Sequence, residues 1–373
     1  MSAKQSLKIL LLTRYNVRGA SSRLRFFQYI PYLENNNISV TPSTFFDEKY
    51  IKSFNENNKR PIFIILKSYI KRFLIFLTIY KYDLIWIEKE IFPFFPAWFE
   101  KILRLIRKPY VVDYDDAIFH DYDLSKNYLV KKLLGNKINS VMKYASCVIV
   151  GNDYLANYAK SSRAKSIKIV PTVLDPWRYN IKEKKNFNKP LIIGWIGSRS
   201  TQKYLVSIYD ALVNVCNSHR ARLLLVGATS EIVTELPNLE IDIAPWSEDN
   251  EANLIQQMDI GIMPLIDGPW EKGKCGYKLI QYMACSVPVI ASPVGINVDI
   301  VKNSDSGLLA DNVITWQNSL MQLINSPEDR LKFGLAGRKA VEILYSSKKQ
   351  APVMKNILSN AINFKKLNNK FKF

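Results

Sequence analysis

Histidine is almost missing from this 373-residue sequence, which has two, and cysteine is scarce at four. Cys147, Cys216, Cys275 and Cys285 show no Cys-x-x-Cys spacing and sit in apolar or helical surroundings. A zinc framework therefore has no support, and buried, reduced thiols are expected. No apolar leader precedes the first strand candidate at Leu7 to Thr13, so no signal peptide is read and a cytoplasmic location is expected. The most lipophilic stretch, Pro61 to Tyr80, is broken in its middle by Lys67, Lys71 and Arg72. Each cation costs about 2.5 to 3.5 kcal/mol at a bilayer centre, which argues against a transmembrane helix. There is no Gly-x-Gly-x-x-Gly, so a dinucleotide fingerprint is absent, and no Cys/His finger or helix-turn-helix is readable. Low-complexity tracts are lacking too.

Acidic residues are also in deficit, 33 against 52 basic ones, for a formal charge of +19. Up to Asp175 there are 28 Lys and Arg against 15 Asp and Glu, and from Pro176 onward 24 against 18. The excess lies mostly in the first half. Without a nucleic-acid module, an anionic membrane surface or a phosphorylated substrate is the favoured partner. On a helix, Lys67, Ser68, Lys71 and Arg72 share one stripe with Ile and Phe around the remainder. That pattern fits a segment lying in the headgroup region, or else a core helix whose cations reach out to water.

At this length two domains fit better than one. Strand candidates at Leu7 to Thr13, Asp83 to Glu88, Tyr110 to Val112, Ser146 to Gly151 and Ile167 to Val170 alternate with helical patterns. The first strand runs through Gly19 into Ala20-Ser21-Ser22, where a hydroxyl cap would start a helix to about Asn35. Carboxylates gather after the third strand as Asp113, Asp115 and Asp116, with His120 close by in sequence. Paired carboxylates at a strand's C-terminal end can orient a hydroxyl nucleophile, or they can simply cap the next helix. Ile91 to Phe99 packs five aromatics and two prolines into nine residues, suited to an apolar or sugar-bearing acceptor or to packing under the domain.

A polar linker over 176–190 separates this block from a second strand-helix alternation over 191–346. The last helix, 347–373, is expected to return to the first domain, 1–175. Two Rossmann-like doubly wound domains facing a cleft are the implied α/β architecture. Two turns in the second block seek phosphate. Gly194 to Lys203 enters a helix through glycine, Ser198, Arg199, Ser200 and Thr201. Glu271 to Asn297 carries Gly273, Lys274, Gly276 and Lys278 at a helix start, where unpaired amides and the helix dipole favour an anion. Both follow strands, so both reach the same sheet edge. A purely structural turn is the alternative for each alone.

Glu271 to Asn297, with Asp259 to Leu265 before it, resembles the donor-binding half of the GT-B glycosyltransferases of the group 1, or family 4, type. The branch carrying Gly-Lys-Cys-Gly-(aromatic)-Lys and then Gln-Tyr-Met-Ala is the nearest. Ala20 to Arg25, Asp113 to Ala117, Val150 to Asn152 with Tyr154 and Leu155, Pro171-Thr172 and Gly194 to Ser198 stand in the order that branch shows.

The resemblance implies retaining transfer from a nucleotide-sugar, a UDP-sugar being the expected donor, to a lipid-linked or saccharide acceptor, with neither metal nor cofactor. It places the donor on Gly19, Ser198, Arg199, Lys203, Lys274, Gly276, Lys278 and Gln281, and the acceptor on Asp115 or Asp116. A hexosyltransferase of cell-surface polysaccharide assembly, peripheral on the inner membrane face, is the implied setting. The family commonly has two glutamates seven residues apart; this chain has Gly273 and Gln281 there, which leaves Glu271 or Lys274 to contact the sugar. A non-catalytic nucleotide-sugar-binding partner and a sugar-nucleotide epimerase are the competing readings.

Overall fold

The computed structural model describes residues 6–48, 50, 61–181, 190–219 and 221–370, with backbone alone for 219 and 363–370. Residues 182–189 of the expected linker, including Lys182, Lys184 and Lys185, lie outside the described residues. The chain divides into two compact units, Met1–Thr172 with Gln350–Phe373, and Val173–Lys349.

The first unit is built on a parallel sheet of strands β1 (Leu7–Thr13), β2 (Ile38–Thr44), β3 (Leu84–Glu88), β4 (Tyr110–Tyr114), β5 (Cys147–Val150) and β6 (Ile167–Ile169). Their order is β2-β1-β3-β4-β5-β6. Ile9 to Leu12 and Leu84 to Ile87 are continuous apolar runs buried on both faces, as a parallel sheet covered by helices requires. The second unit repeats the scheme with β7 (Ile192–Ile196), β8 (Arg222–Val226), β9 (Ile241–Ala244), β10 (Ile260–Met263), β11 (Val289–Ala291) and β12 (Gly307–Leu309). Here the order is β12-β11-β10-β7-β8-β9. Strand order reverses between β1 and β3 in one sheet and between β7 and β10 in the other. Crevices at such switch points, beyond the carboxyl ends of the strands, are where doubly wound folds bind ligands.

The β7–β10 junction is pinned by a side chain from the helix Tyr277–Ala284. Gly194 and Gly261 face each other in register, and a Cβ on Gly261 would meet the Tyr282 ring at 2.5 Å. The Tyr282 hydroxyl accepts from Ile196 N at 2.9 Å and donates to Ile262 O at 3.2 Å, tying both strands to that helix. All four cysteines are free and buried.

Several local expectations are corrected. Ser21 and Ser22 do not cap the first helix, Ala20–Arg25, whose N-cap is Gly19. Ser22 is buried inside it, accepting from Tyr15 N and donating to Glu88. The segment to Asn35 is broken into Ala20–Arg25, Phe27–Tyr29 and Ile30–Glu34. The helix entered from the Gly194 to Lys203 turn is short, Arg199–Val206, and a separate one, Tyr209–His219, follows it, with the Ser207 hydroxyl between them donating to the Tyr204 carbonyl.

The polar stripe of the Ile62–Phe76 helix also divides. Ser68 and Arg72 are buried, Arg72 donating to the carbonyls of Thr13, Ser43 and Ile91, whereas Lys67 and Lys71 are exposed. Residues one apart differ by about 100° around a helix, so the stripe is wide enough to have a packed edge and a wet one. The opposite face, with Phe63 at 88%, Leu66 at 57% and Ile70 at 53% exposure, is uncovered and apolar. Among the described residues no helix is long and apolar enough to cross a membrane.

Candidate functional site

In the second unit, the two glycine turns meet beyond the ends of β7 and β10. Gly276 has a left-handed φ of 65° and opens the helix Tyr277–Ala284, whose first-turn N–H groups have no intrahelical acceptor by construction. From that helix Lys278 lies across the Trp195 ring, Nζ 4.3 Å from its centroid, and donates to Thr201 Oγ1 at 3.3 Å. A Cβ on Gly197 would come within 2.3 Å of the indole and 2.7 Å of the lysine nitrogen, so only glycine leaves this passage open. Thr201 Oγ1 also accepts from Ser198 N at 3.1 Å, and Ser198 Oγ pairs with Ser200 Oγ at 3.0 Å. Burial, with Lys274 beside it, pulls the Lys278 ammonium down to about 7. Among the described residues Lys278 meets a hydroxyl and an aromatic face, and no carboxylate. An anion here would restore its charge.

Not every expected donor residue joins this cluster. Arg199 is exposed and pairs with Glu231 at 2.8 Å, and Lys203 lies over the ring of its neighbour Tyr204. Gln281 is buried and donates through Nε2 to Glu251 Oε2 at 3.1 Å. Glu271 is one of the two residues left to contact a sugar. It is buried at 7% exposure and accepts from the Tyr204 hydroxyl through Oε1.

The first unit presents a different chemistry at its switch point. β3 ends at Glu88 and runs on into Lys89 and Glu90, all three buried. Lys89 takes a left-handed φ of 65° and places Nζ 2.7 Å from Asp116 and 3.3 Å from Asp115. Burial would push the Asp115 carboxyl up, but Lys89 and the hydroxyl of Ser21 outweigh it and hold the group below its usual value. Glu88 accepts from Ser22 Oγ and Arg14 N, each at 2.6 Å; burial nevertheless raises its pKa. Glu90 pairs with Lys137 and accepts from Tyr122. Glu88 Oε1, Asp116 Oδ1 and Arg14 Nε are buried without a hydrogen-bond partner among the described residues. Gly19 borders this region through Tyr15, whose Cβ would lie 2.4 Å from a Cβ at position 19.

Two members of the expected carboxylate group go elsewhere. Asp113 forms a buried ion pair with Arg25 at 2.7 Å, and Arg25 also donates to Val170 O, so the pair fastens the first helix to β4 and the β6 end. His120 does not join Asp115 and Asp116, because its ring nitrogens are occupied by Asp123 and Tyr154, each at 2.8 Å.

Residues 190–326 match the family model described as glycosyl transferases group 1. The match falls within the second unit, Val173–Lys349. N-acetyl-α-D-glucosaminyl L-malate synthase of Bacillus anthracis is 28% identical to this chain over 155 residues, 39% of this chain and 39% of that relative. The match therefore spans well under half of the relative's length. Sucrose-phosphate synthase of Thermosynechococcus elongatus superposes with a TM-score of 0.70 at 16% identity, covering 95% of this chain and 98% of that one. HepE of Anabaena, solved in complex with UDP-glucose, superposes with a TM-score of 0.70 at 15% identity, covering 95% of this chain and 100% of that one. At such identities the likeness is one of fold, and the fold is GT-B.

Sequence reasoning passed over Glu88, Lys89, Glu90 and Glu251. For the first three a signal exists, since three consecutive charges directly after a buried apolar strand must be compensated. Glu251 opens the short helix Glu251–Gln256 and carries no comparable mark.

Proposed function

We propose that this chain is a retaining, metal-independent hexosyltransferase that moves a sugar from a UDP-sugar to a lipid-linked or saccharide acceptor. The observation that carries the reading is the convergence of Lys278, Gly197 and Thr201 at the switch point of the unit that matches the group 1 model. A leaving diphosphate would sit against the N-terminus of the Tyr277–Ala284 helix, with Lys278 and Lys274 neutralising the charge that develops as the glycosidic bond breaks. Ser198 and the start of the Arg199–Val206 helix offer further donors, and Gln281 serves the ribose. Asp115, held anionic by Lys89, and Asp116 beside it would orient an acceptor hydroxyl from the first unit, beside Gly19.

The uncovered apolar face of the Ile62–Phe76 helix, flanked by Lys67 and Lys71, supports a resting place on an anionic membrane surface and hence a role in cell-surface polysaccharide assembly. Thermal stabilisation by a panel of nucleotide-sugars, followed by transfer of label from the best donor to membrane extract, tests the reading. A UDP-sugar should raise the melting temperature and label the extract. Absence of any labelled product would sink it. The competing reading, a nucleotide-sugar-binding partner without catalysis, draws on Gly273, which has no side chain to offer a sugar; it predicts stabilisation by donor with no turnover.

A further inference from the structure

Gln281 is one of the few buried side-chain amides in the second unit, and its setting decides which way the amide points. Glu251 is 4% exposed and accepts from the Tyr179 hydroxyl at 2.5 Å, from Trp246 Nε1 at 2.8 Å and from Gln281 Nε2 at 3.1 Å. A carboxylate can only accept hydrogen bonds, so the NH2 end of Gln281 must face it and the carbonyl end must face away. That Oε1 takes no hydrogen bond from any described residue. The same carboxylate anchors Trp246, which is 38% exposed just beyond the end of β9, its Cβ 3.2 Å from the position of a Cβ on Gly227. Gly227 in turn abuts the Gly197 carbonyl, so Trp246 stands beside the β7 turn of the candidate donor site.

We infer that Glu251 is a positioning residue for the nucleoside end of the donor: it turns Gln281 into a pure acceptor toward ribose hydroxyls and holds the Trp246 indole beside the base. The inference rests on the donor reading above. In effect the carboxylate has moved one shell outward, from position 281 to position 251, and acts through an amide whose carbonyl does what a carboxylate oxygen would do. A tyrosine on a different segment completes the frame, so the orientation of Gln281 is fixed before any nucleotide arrives.

Calorimetric titration of the full chain with UDP and with 2′,3′-dideoxy-UDP tests this. Wild type should prefer UDP by about tenfold or more, since a site built to bond hydroxyls is left unpaired by the analogue. Glu251→Gln is nearly isosteric but lets the amide of Gln281 turn either way. It should weaken UDP by about tenfold and bring the UDP to dideoxy-UDP ratio close to one. Exchanging the pair, Glu251→Gln with Gln281→Glu, should restore the ratio to within about threefold of wild type, which a merely structural role for Glu251 would not do. An unchanged ratio in Glu251→Gln, or a folded double variant no better than the single one, overturns the inference. Should Glu251→Gln fail to fold, Trp246→Phe removes one bond to the carboxylate and should weaken UDP by about threefold at an unchanged melting temperature; unaltered affinity there overturns it equally. If wild type binds no UDP at all, the proposed function itself falls and takes this inference with it.

Discussion

The two switch points of this molecule solve opposite electrostatic problems. In the first unit each carboxylate has a cation or a hydroxyl beside it: Lys89 is shared by Asp115 and Asp116, Lys137 pairs with Glu90, and Ser22 donates to Glu88. In the second unit Lys278 rests on an indole and a hydroxyl, and its charge is suppressed rather than matched. The first cluster is rich in hydrogen-bond acceptors. A cation held on a hydroxyl and an indole is poised for an anion, and near neutral pH its protonated and neutral forms are comparably populated.

The largest effect should come from breaking the compensated side. Lys89→Met leaves two partly buried carboxylates, Asp115 and Asp116, without their shared cation, and a loss of about 3 kcal/mol is expected in urea unfolding of the whole chain. A loss below about 1 kcal/mol would mean that water already balances the cluster. On the uncompensated side the sign reverses. Lys278→Ala should abolish transfer while leaving the melting temperature equal to or above that of wild type, because a destabilising buried cation is removed; turnover near the wild-type rate would refute its role with the diphosphate.

The pH dependence sharpens the same contrast. Lys278 has a folded value near 7, below its ordinary 10.5. Between those values the unfolded chain keeps a proton that the folded chain has released, so this group makes stability rise as pH rises from about 7 towards 10. That component should vanish in Lys278→Met unfolding curves taken across the same range. Diphosphate binding should reverse the release: above pH 7, UDP should bind with uptake of a proton and weaken as pH rises, read by calorimetry in two buffers of different ionisation enthalpy. Equal heats in both buffers would show that Lys278 keeps its charge throughout. The smallest effect on stability belongs to Phe63→Ser, on a side chain 88% exposed. The change should stay within about 0.5 kcal/mol, while sedimentation with anionic vesicles should fall.

Most of the sheet framework was legible in the residues, because strands buried on both faces read as unbroken apolar runs. The two strands that escaped, β2 and β12, are both edges of their sheets. β2 contains Pro42, which an edge tolerates, and β12 is three residues long and opens with Gly307. The cluster around Lys278 was legible as glycines and lysines after strands. The carboxylate cluster of the first unit was only partly so, since Asp113 and Asp116 look alike in sequence and differ in whether Arg25 or Lys89 reaches them. Such pairings join residues 88 and 27 positions apart, and no local pattern encodes them. The stripe of Lys67, Ser68, Lys71 and Arg72 was read with one orientation because periodicity gives a face without saying which way it turns.

The helix Ser347–Lys370 begins among residues of the second unit and continues among those of the first. Met354 and Leu358, both fully buried, and Lys355, bonded to Asn36 at 2.8 Å, belong to the first unit although they are synthesised after the whole of the second. On the ribosome, then, the first unit emerges before the helix that completes it: it waits, with apolar positions bare, until the second unit has also been made. A fragment ending at residue 172 should therefore be aggregation-prone, and a peptide spanning 347–362 supplied in trans should rescue it.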